Sequence, residues 1–210
     1  GLTCILVDDG SPEKIKARLR SRVSHLSKKD KAECHLLEHE ENQGKGAAVF
    51  TGARVARSFG FTHFVQIDAD GQHAIDDVAV FIKESQSYPW DIISGAPQFD
   101  ETAPKARLYG RKVTDFWVSL ETLSLSIRDS LCGFRVYPLS VFHDVYERSS
   151  VGSRMDFDTD FLVKSIWLNY QFRFLPTKVS YQENNDSNFH YLHDNVRLVW
   201  LHIRLMCGML

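Results

Sequence analysis

Three times within its first hundred residues the chain repeats one pattern. A short apolar run stops abruptly at acidic or glycine-bearing residues, and a helical-period segment follows. Residues 3–7 (TCILV) stop at Asp8-Asp9-Gly10, and Ser11-Pro12 then offer a helix N-cap and a first helical proline. Ile15, Leu19, Val23 and Leu26 recur beyond them at helical spacing, among basic residues that read as a solvated face. Residues 34–38 (CHLLE) run into Asn42-Gln43-Gly44-Lys45-Gly46, then into an Ala-rich helix to about Phe59, with Gly60 as its stop. Residues 63–67 (HFVQI) end in Asp68-Ala69-Asp70-Gly71-Gln72-His73, and a helix over about 75–86 and a strand at 91–94 (DIIS) complete the series. Such alternation predicts a mostly parallel sheet with crossover helices, in which ligands bind beyond the carboxyl ends of the strands. Both acidic clusters lie at strand ends.

The second half is less regular. It predicts a helix over 105–123, a loop at 129–133, a strand FRVY at 134–137, and MDFDTD (155–160) leading into another helix. A β-rich segment at 172–181 and a last helix over 189–206 follow. No repeat or linker interrupts the chain, so one domain over 1–210 is expected, closed by an amphipathic helical segment at 189–210.

Charge excludes one class of partner. Lys+Arg 25 against Asp+Glu 27 leaves a net charge of -2, so no global field attracts nucleic acid and an anionic ligand needs a local cluster. No stretch approaches the ~20 apolar residues of a membrane span, and no signal peptide opens the chain. Cys4, Cys34, Cys132 and Cys207 are scattered, which fits reduced thiols and a cytosolic location.

Asp68 and Asp70 are the candidate metal ligands. On extended backbone a two-residue step points both carboxylates one way, Gln72 continues the alternation, and Mg²⁺ or Mn²⁺ takes such oxygen ligands. The competing reading is an acidic loop that caps a helix. Asp8 and Asp9 suit a nucleotide base or sugar hydroxyl, against an Asx turn that leads into the Ser11 cap. The NQGKG loop lacks P-loop spacing, so its glycines give a tight turn and Lys45 either approaches an anion or stays on the surface.

VDDGS, ENQGKGAA, DADGQH, DSLCGFRVY and MDFDTDFLVK, in that order, resemble a family 2 glycosyltransferase of the GT-A fold. The branch most similar is that of dolichyl- or polyprenyl-phosphate sugar transferases. The resemblance runs from Ile5 to about Tyr181. It implies a Rossmann-like α/β sheet between helices and a metal-dependent, inverting transfer from a nucleotide-diphosphate sugar. Asp8, Asp9 and Lys45 would serve the nucleotide, and Asp68 both nucleotide sugar and metal. Asp70 and Gln72 would complete the metal site, with Arg135 at an anionic group. The acidic element near 156–160 would face the acceptor. On a helix Asp156 and Asp160 share a face and on extended chain all three align; the resemblance favours Asp158 or Asp160.

Two features depart from the family. Its usual earlier strand, interior between those ending at Asp8 and Asp68, has no counterpart, so an N-terminally trimmed chain with an interrupted sheet is expected. Residues 184–189 (NNDSNF) replace a basic or glycine-rich acceptor loop. The helix at 194–210 sets Arg197, His202 and Arg204 among Trp200 and leucines, which suits either core packing or the interface of a membrane carrying a polyprenyl-phosphate acceptor, on its cytoplasmic face. Rival readings are a sugar-nucleotide pyrophosphorylase, whose glycine-rich basic loop is not visible, and an inert nucleotide-sugar-binding module.

Overall fold

The computed structural model describes residues 2–29, 33–99, 103–180 and 191–209. Contacts gather into two compact units, residues 1–61 with 153–155, and residues 62–152 with 156–210.

In the first unit β1 (Cys4–Asp8) and β2 (Cys34–Glu38) pair in parallel, from Cys4 opposite Cys34 to Asp8 opposite Glu38. Helix α1 (Glu13–Lys29) makes the crossover and α2 (Lys45–Ser58) follows β2. Ser11 is not the cap expected of it. The Pro12 carbonyl accepts the first helical amides, from Ile15 and Lys16, while the Ser11 amide donates to Asp8 Oδ2 at 3.1 Å. Not all of the basic run is solvated: Lys16 is buried and donates to the His39 carbonyl, and Arg20 bridges Glu13 and Glu38. Small residues let α2 lie close to its neighbours, with Gly46, Ala53 and Ala56 buried.

The second unit orders its four strands β3 (His63–Gln66), β5 (Arg135–Pro138), β4 (Ile92–Phe99) and β6 (Phe172–Val179). The α/β class holds, but the sheet is mixed: β5 runs antiparallel to both β3 and β4, and β4 and β6 are parallel. Strand β4 is twice the length of DIIS because β6 pairs with it from Ile92 to Phe99. Proline is tolerated at position 97, since β5 pairs with β4 only at Ile93 and Ser94, and at position 176 on the edge strand β6. Around the sheet lie a 3₁₀ turn (Ile75–Asp77), α3 (Val78–Ser87), α4 (Lys105–Thr122), α5 (Leu139–Arg148), α6 (Phe157–Trp167) and α7 (Tyr191–Met209).

Two apolar clusters fill this unit. Phe81, Ile93, Cys132, Phe134 and Val136 form one; Val118, Ile127, Leu162, Val163, Leu201 and Leu205 form the other, joining α4, α6 and α7. The described strands form two separate sheets, β1–β2 and β3–β5–β4–β6. Residues 184–189, and 190 before the last helix, lie outside the described residues.

Candidate active site

In the second unit the end of β3 gathers three of the five motifs. The Gln66 side chain, 7% exposed, donates from Nε2 to Asp158 Oδ1 at 3.1 Å, across 92 residues of chain. Two residues later the half-buried Asp68 carboxylate lies directly over the Cα of Gly133. A Cβ there would stand 2.1 Å from Asp68 Oδ2 and 2.6 Å from Oδ1. Only glycine at 133 leaves that carboxylate its position.

Beyond Asp68 the expected alternation fails. Residues 69 and 70 turn, Gly71 takes φ +72°, and Asp70 Oδ1 accepts the Gln72 amide at 3.0 Å. Gln72 therefore does not continue an extended series from Asp68 and Asp70. The Gln72 carbonyl accepts from the Ser180 amide, and His73 bridges to Val179 through its backbone, its ring against Phe134. Among the described residues no three His, Cys, Asp or Glu cluster closely enough to hold a metal ion. Magnesium and manganese do not require three; one or two carboxylates suffice where phosphate and water complete the shell, and an oxygen-only set suits such hard ions.

The MDFDTD segment is helical, and its carboxylates part accordingly. Asp160 has no exposed surface: its carboxylate accepts from the Gly152 amide (2.6 Å), Lys164 Nζ (2.8 Å) and Arg204 Nη2 (3.0 Å). It is an ion-pair hub joining α6 to α7. Asp158, 3% exposed, turns instead to Gln66. Asp156 is half-buried and sits against Gly152, where a Cβ would come within 2.3 Å of it.

Arg135 does not present itself to an anion. It is completely buried, with its guanidinium donating to the carbonyls of Ser130 and Asp158, both at 2.9 Å. It braces the CGFR loop against the start of α6. From the other side, α4 holds the same loop through Arg111 on Asp129 (2.7 Å) and through Asp115, which accepts the Ser130 amide (2.9 Å) and hydroxyl (2.8 Å). Burial, with Asp129 close by, pushes the Asp115 carboxyl up to about 6. Burial likewise pushes the Cys132 thiol up to about 12, so that cysteine packs and does not attack.

In the first unit Asp9 organises the loop ahead of α2. Its carboxylate accepts from the Gln43 amide (2.9 Å), the Gly44 amide (2.7 Å) and His39 Nδ1 (2.7 Å), while His39 Nε2 meets Thr51 Oγ1 at 3.0 Å. Partial burial opposes ionisation, but His39 and the two amides outweigh it and hold the carboxyl below its usual range. Gly44, at φ +104°, touches Ser153 and Arg154, and Arg154 bonds Asn42. Asp8 is 7% exposed and makes the Asx turn to Ser11. Lys45 opens α2, half-buried.

The sequence profile of glycosyl transferase family 2 matches residues 1–145. The chain belongs to that family. An uncharacterized protein of Methanocaldococcus jannaschii is 27% identical over 152 residues, 67% of this chain and 62% of its own. The UDP-N-acetylglucosamine–dolichyl-phosphate N-acetylglucosaminyltransferase of Methanococcus voltae is 30% identical over 115 residues, 53% of this chain and 46% of its own. The chain thus spans about half the length of these relatives. Among solved structures, glucosyl-3-phosphoglycerate synthase from Mycobacterium tuberculosis, crystallised with Mn²⁺ and UDP-glucose, superposes with a TM-score of 0.60 at 11% identity. That superposition covers all of this chain and 79% of the other, and establishes the shared GT-A fold.

Within this glycosyl transferase family 2 chain, sequence reading passed over Gln66, His39 and the Arg111–Asp115–Asp129 brace. A glutamine where strand β3 turns into its acidic loop was the one available signal for the first. The others depend on contacts between segments far apart in the chain.

Proposed function

We propose that residues 1–210 are a single catalytic domain that transfers a sugar, with inversion, from a nucleotide-diphosphate donor to an acceptor. The observation that carries this reading is the convergence at the end of β3. One four-residue strand steers Asp158 through Gln66 and, two residues on, seats the Asp68 carboxylate on Gly133. A donor-side and an acceptor-side carboxylate are thereby tied to the end of one strand, the second from α6 through Gln66.

Asp68 and Asp70 would hold Mg²⁺ or Mn²⁺, with the Gln72 side chain at most a further oxygen donor. Bound there, the cation would neutralise the charge that gathers on the departing diphosphate. Asp8, Asp9 and Lys45 serve the nucleotide. Asp9 does so by fixing the NQGKG loop, whose amides it already engages. Asp158 faces the acceptor and takes the proton of an attacking hydroxyl; an acceptor phosphate arrives ionised and needs no base. Asp160 and Arg135 position α6 and the CGFR loop. The acceptor is a lipid-linked phosphate or alcohol at the cytoplasmic face of a membrane, a reading supported by the dolichyl-phosphate acceptor named for the Methanococcus voltae relative.

Melting shifts with UDP- and GDP-sugars, in manganese or in EDTA, test this directly, because a ligand of the native state stabilises it. The expected result is a donor-dependent shift that requires metal, accompanied by nucleotide release. Asp68→Asn should remove both and leave the unliganded melting temperature unchanged. Metal-independent release, or a shift that survives Asp68→Asn, would overturn the assignment. A metal-dependent shift without release from any donor–acceptor pair would leave only a binding module.

A further inference from the structure

Helix α4 buries Val118 in the core but leaves most of its large apolar side chains exposed. Its buried side carries polar groups: Thr114 is 6% exposed and Glu121 1%, the latter receiving His202 Nδ1 of α7 at 2.7 Å. Its solvent side carries Tyr109, Val113, Phe116, Trp117 and Leu120, exposed by 72, 41, 64, 38 and 40%. These positions follow helical spacing, so they form one stripe, and exposed Lys105 and Lys112 share it. Helix α7 continues the surface. Its Leu201 and Leu205 fill the core, while Val196, Val199, Trp200 and Ile203 remain 48–67% exposed along the opposite side.

Between the two helices runs an open groove of about 640 Å³, walled by apolar side chains of both. The loop beyond α4 adds Leu123 and Leu125, exposed by 78 and 93%. An apolar surface of this extent on a folded chain marks an interaction site. Its charge identifies the occupant. Among the described side chains of α4, α7 and the loop at 123–128, every exposed charged residue is cationic: Lys105, Lys112 and Arg128, with Arg204 already paired to Asp160. A second copy of the chain would set cation against cation, whereas an anionic bilayer complements the whole face. Tryptophan and tyrosine among aliphatic residues, with lysine at the margin, are the composition of a surface that sits at headgroup depth. None of the described helices is long and apolar enough to span a membrane.

We propose that the paired faces of α4 and α7 dock the protein onto an anionic membrane, the groove between them receiving lipid chains. The proposal rests on the lipid-acceptor reading for its purpose, yet its test reads partition and not turnover. The wild-type chain is floated with phosphatidylcholine vesicles and with vesicles that also contain phosphatidylglycerol. The expected result is flotation that requires the anionic lipid and weakens in high salt. Phe116→Asp with Trp200→Asp should lower the partition coefficient at least about tenfold, and Lys112→Glu with Arg128→Glu about as much. The side chains replaced are exposed, so melting temperature and the nucleotide-sugar melting shift should match wild type. Loss of that shift in the wild type would instead count against the transferase reading and leave the flotation result standing. Wild type that stays unbound, floats equally on neutral vesicles, or floats no better than the aspartate variant overturns the proposal. So does a sedimenting dimer that the aspartate pair dissociates while neither form floats.

Discussion

Gly133→Ala separates a functional glycine from a structural one. Gly133 is not among the glycines at positive φ, so an alanine backbone is allowed there and the effect is steric. The new methyl would meet Asp68 Oδ2 at 2.1 Å, and the carboxylate must retreat by roughly 1.3 Å to reach an ordinary 3.4 Å contact. The group that must move is a side-chain carboxylate and not backbone, so rotation about its own χ angles relieves the clash. An off-rotamer side chain costs about 0.5–1.5 kcal/mol, and the Gly-to-Ala change recovers about 0.4–1 kcal/mol by restricting the unfolded chain. Stability should therefore move by less than about 1 kcal/mol. Activity should not be spared, because a misplacement of this size can cost on the order of 10²-fold in rate.

The assay is kcat/KM for nucleotide release, alongside the manganese-dependent melting shift and urea unfolding. Gly60→Ala supplies the contrast. Nothing lies within 4 Å of its added methyl, but φ is +82°, so that variant should lose stability and keep its metal dependence. Wild-type release and metal response in Gly133→Ala would refute the role given to the Asp68 seat. A stability loss beyond about 3 kcal/mol would show that the carboxylate is locked for structural reasons instead.

Four further outcomes follow from the hydrogen-bonded carboxylates. Asp9→Asn should destabilise the chain by about 1–3 kcal/mol near neutral pH. Because the native carboxyl is held below its unfolded value, the stability it contributes is present above that value and lost as pH falls through the native one; urea unfolding at several pH values should show wild type and variant converging in acid. Asp115 behaves oppositely. Its native carboxyl is raised to about 6, so ionisation costs stability as pH climbs from about 4 to about 6, and Asp115→Asn should melt higher than wild type above that range and equally below it. Asp160→Ala strands Lys164 and Arg204 and should cost about 3–5 kcal/mol by urea unfolding, whereas Asp158→Asn should fold normally and lose turnover onto a hydroxyl acceptor.

The parts of the fold that local pattern encodes were legible in the sequence. Apolar runs closed by acidic or glycine turns gave β1, β2 and β3 with α1 and α2, because each element satisfies its own backbone and its own hydrophobic face. Strand β5 was placed within a residue, but its direction was hidden: four residues of strand carry no sign of which way they enter a sheet. Helix α5 passed unnoticed behind Pro138, which serves as its N-cap.

The site divides along the same line. Residue types, carboxylates at strand ends, were readable. Their division of labour was not, because Asp158 and Asp160 are both buried and differ in their partners, which include residues far away in the chain. Two residues apart on α6, these side chains point about 200° apart around a 3.6-residue turn, so one reaches Gln66 of β3 and the other Arg204 of α7. The same geometry explains Arg135. An arginine beside CGF looks like an anion receptor until the fold closes over it, and then its donors go to the carbonyls of Ser130 and Asp158. Replacing it with lysine keeps the charge and loses the planar fork that reaches Ser130 and Asp158 together. Arg135→Lys should therefore loosen the CGFR loop and α6 jointly. A donor that bound Arg135 directly would instead lose affinity with the loop unchanged, and hydrogen exchange at the amides of 130–135 distinguishes the two.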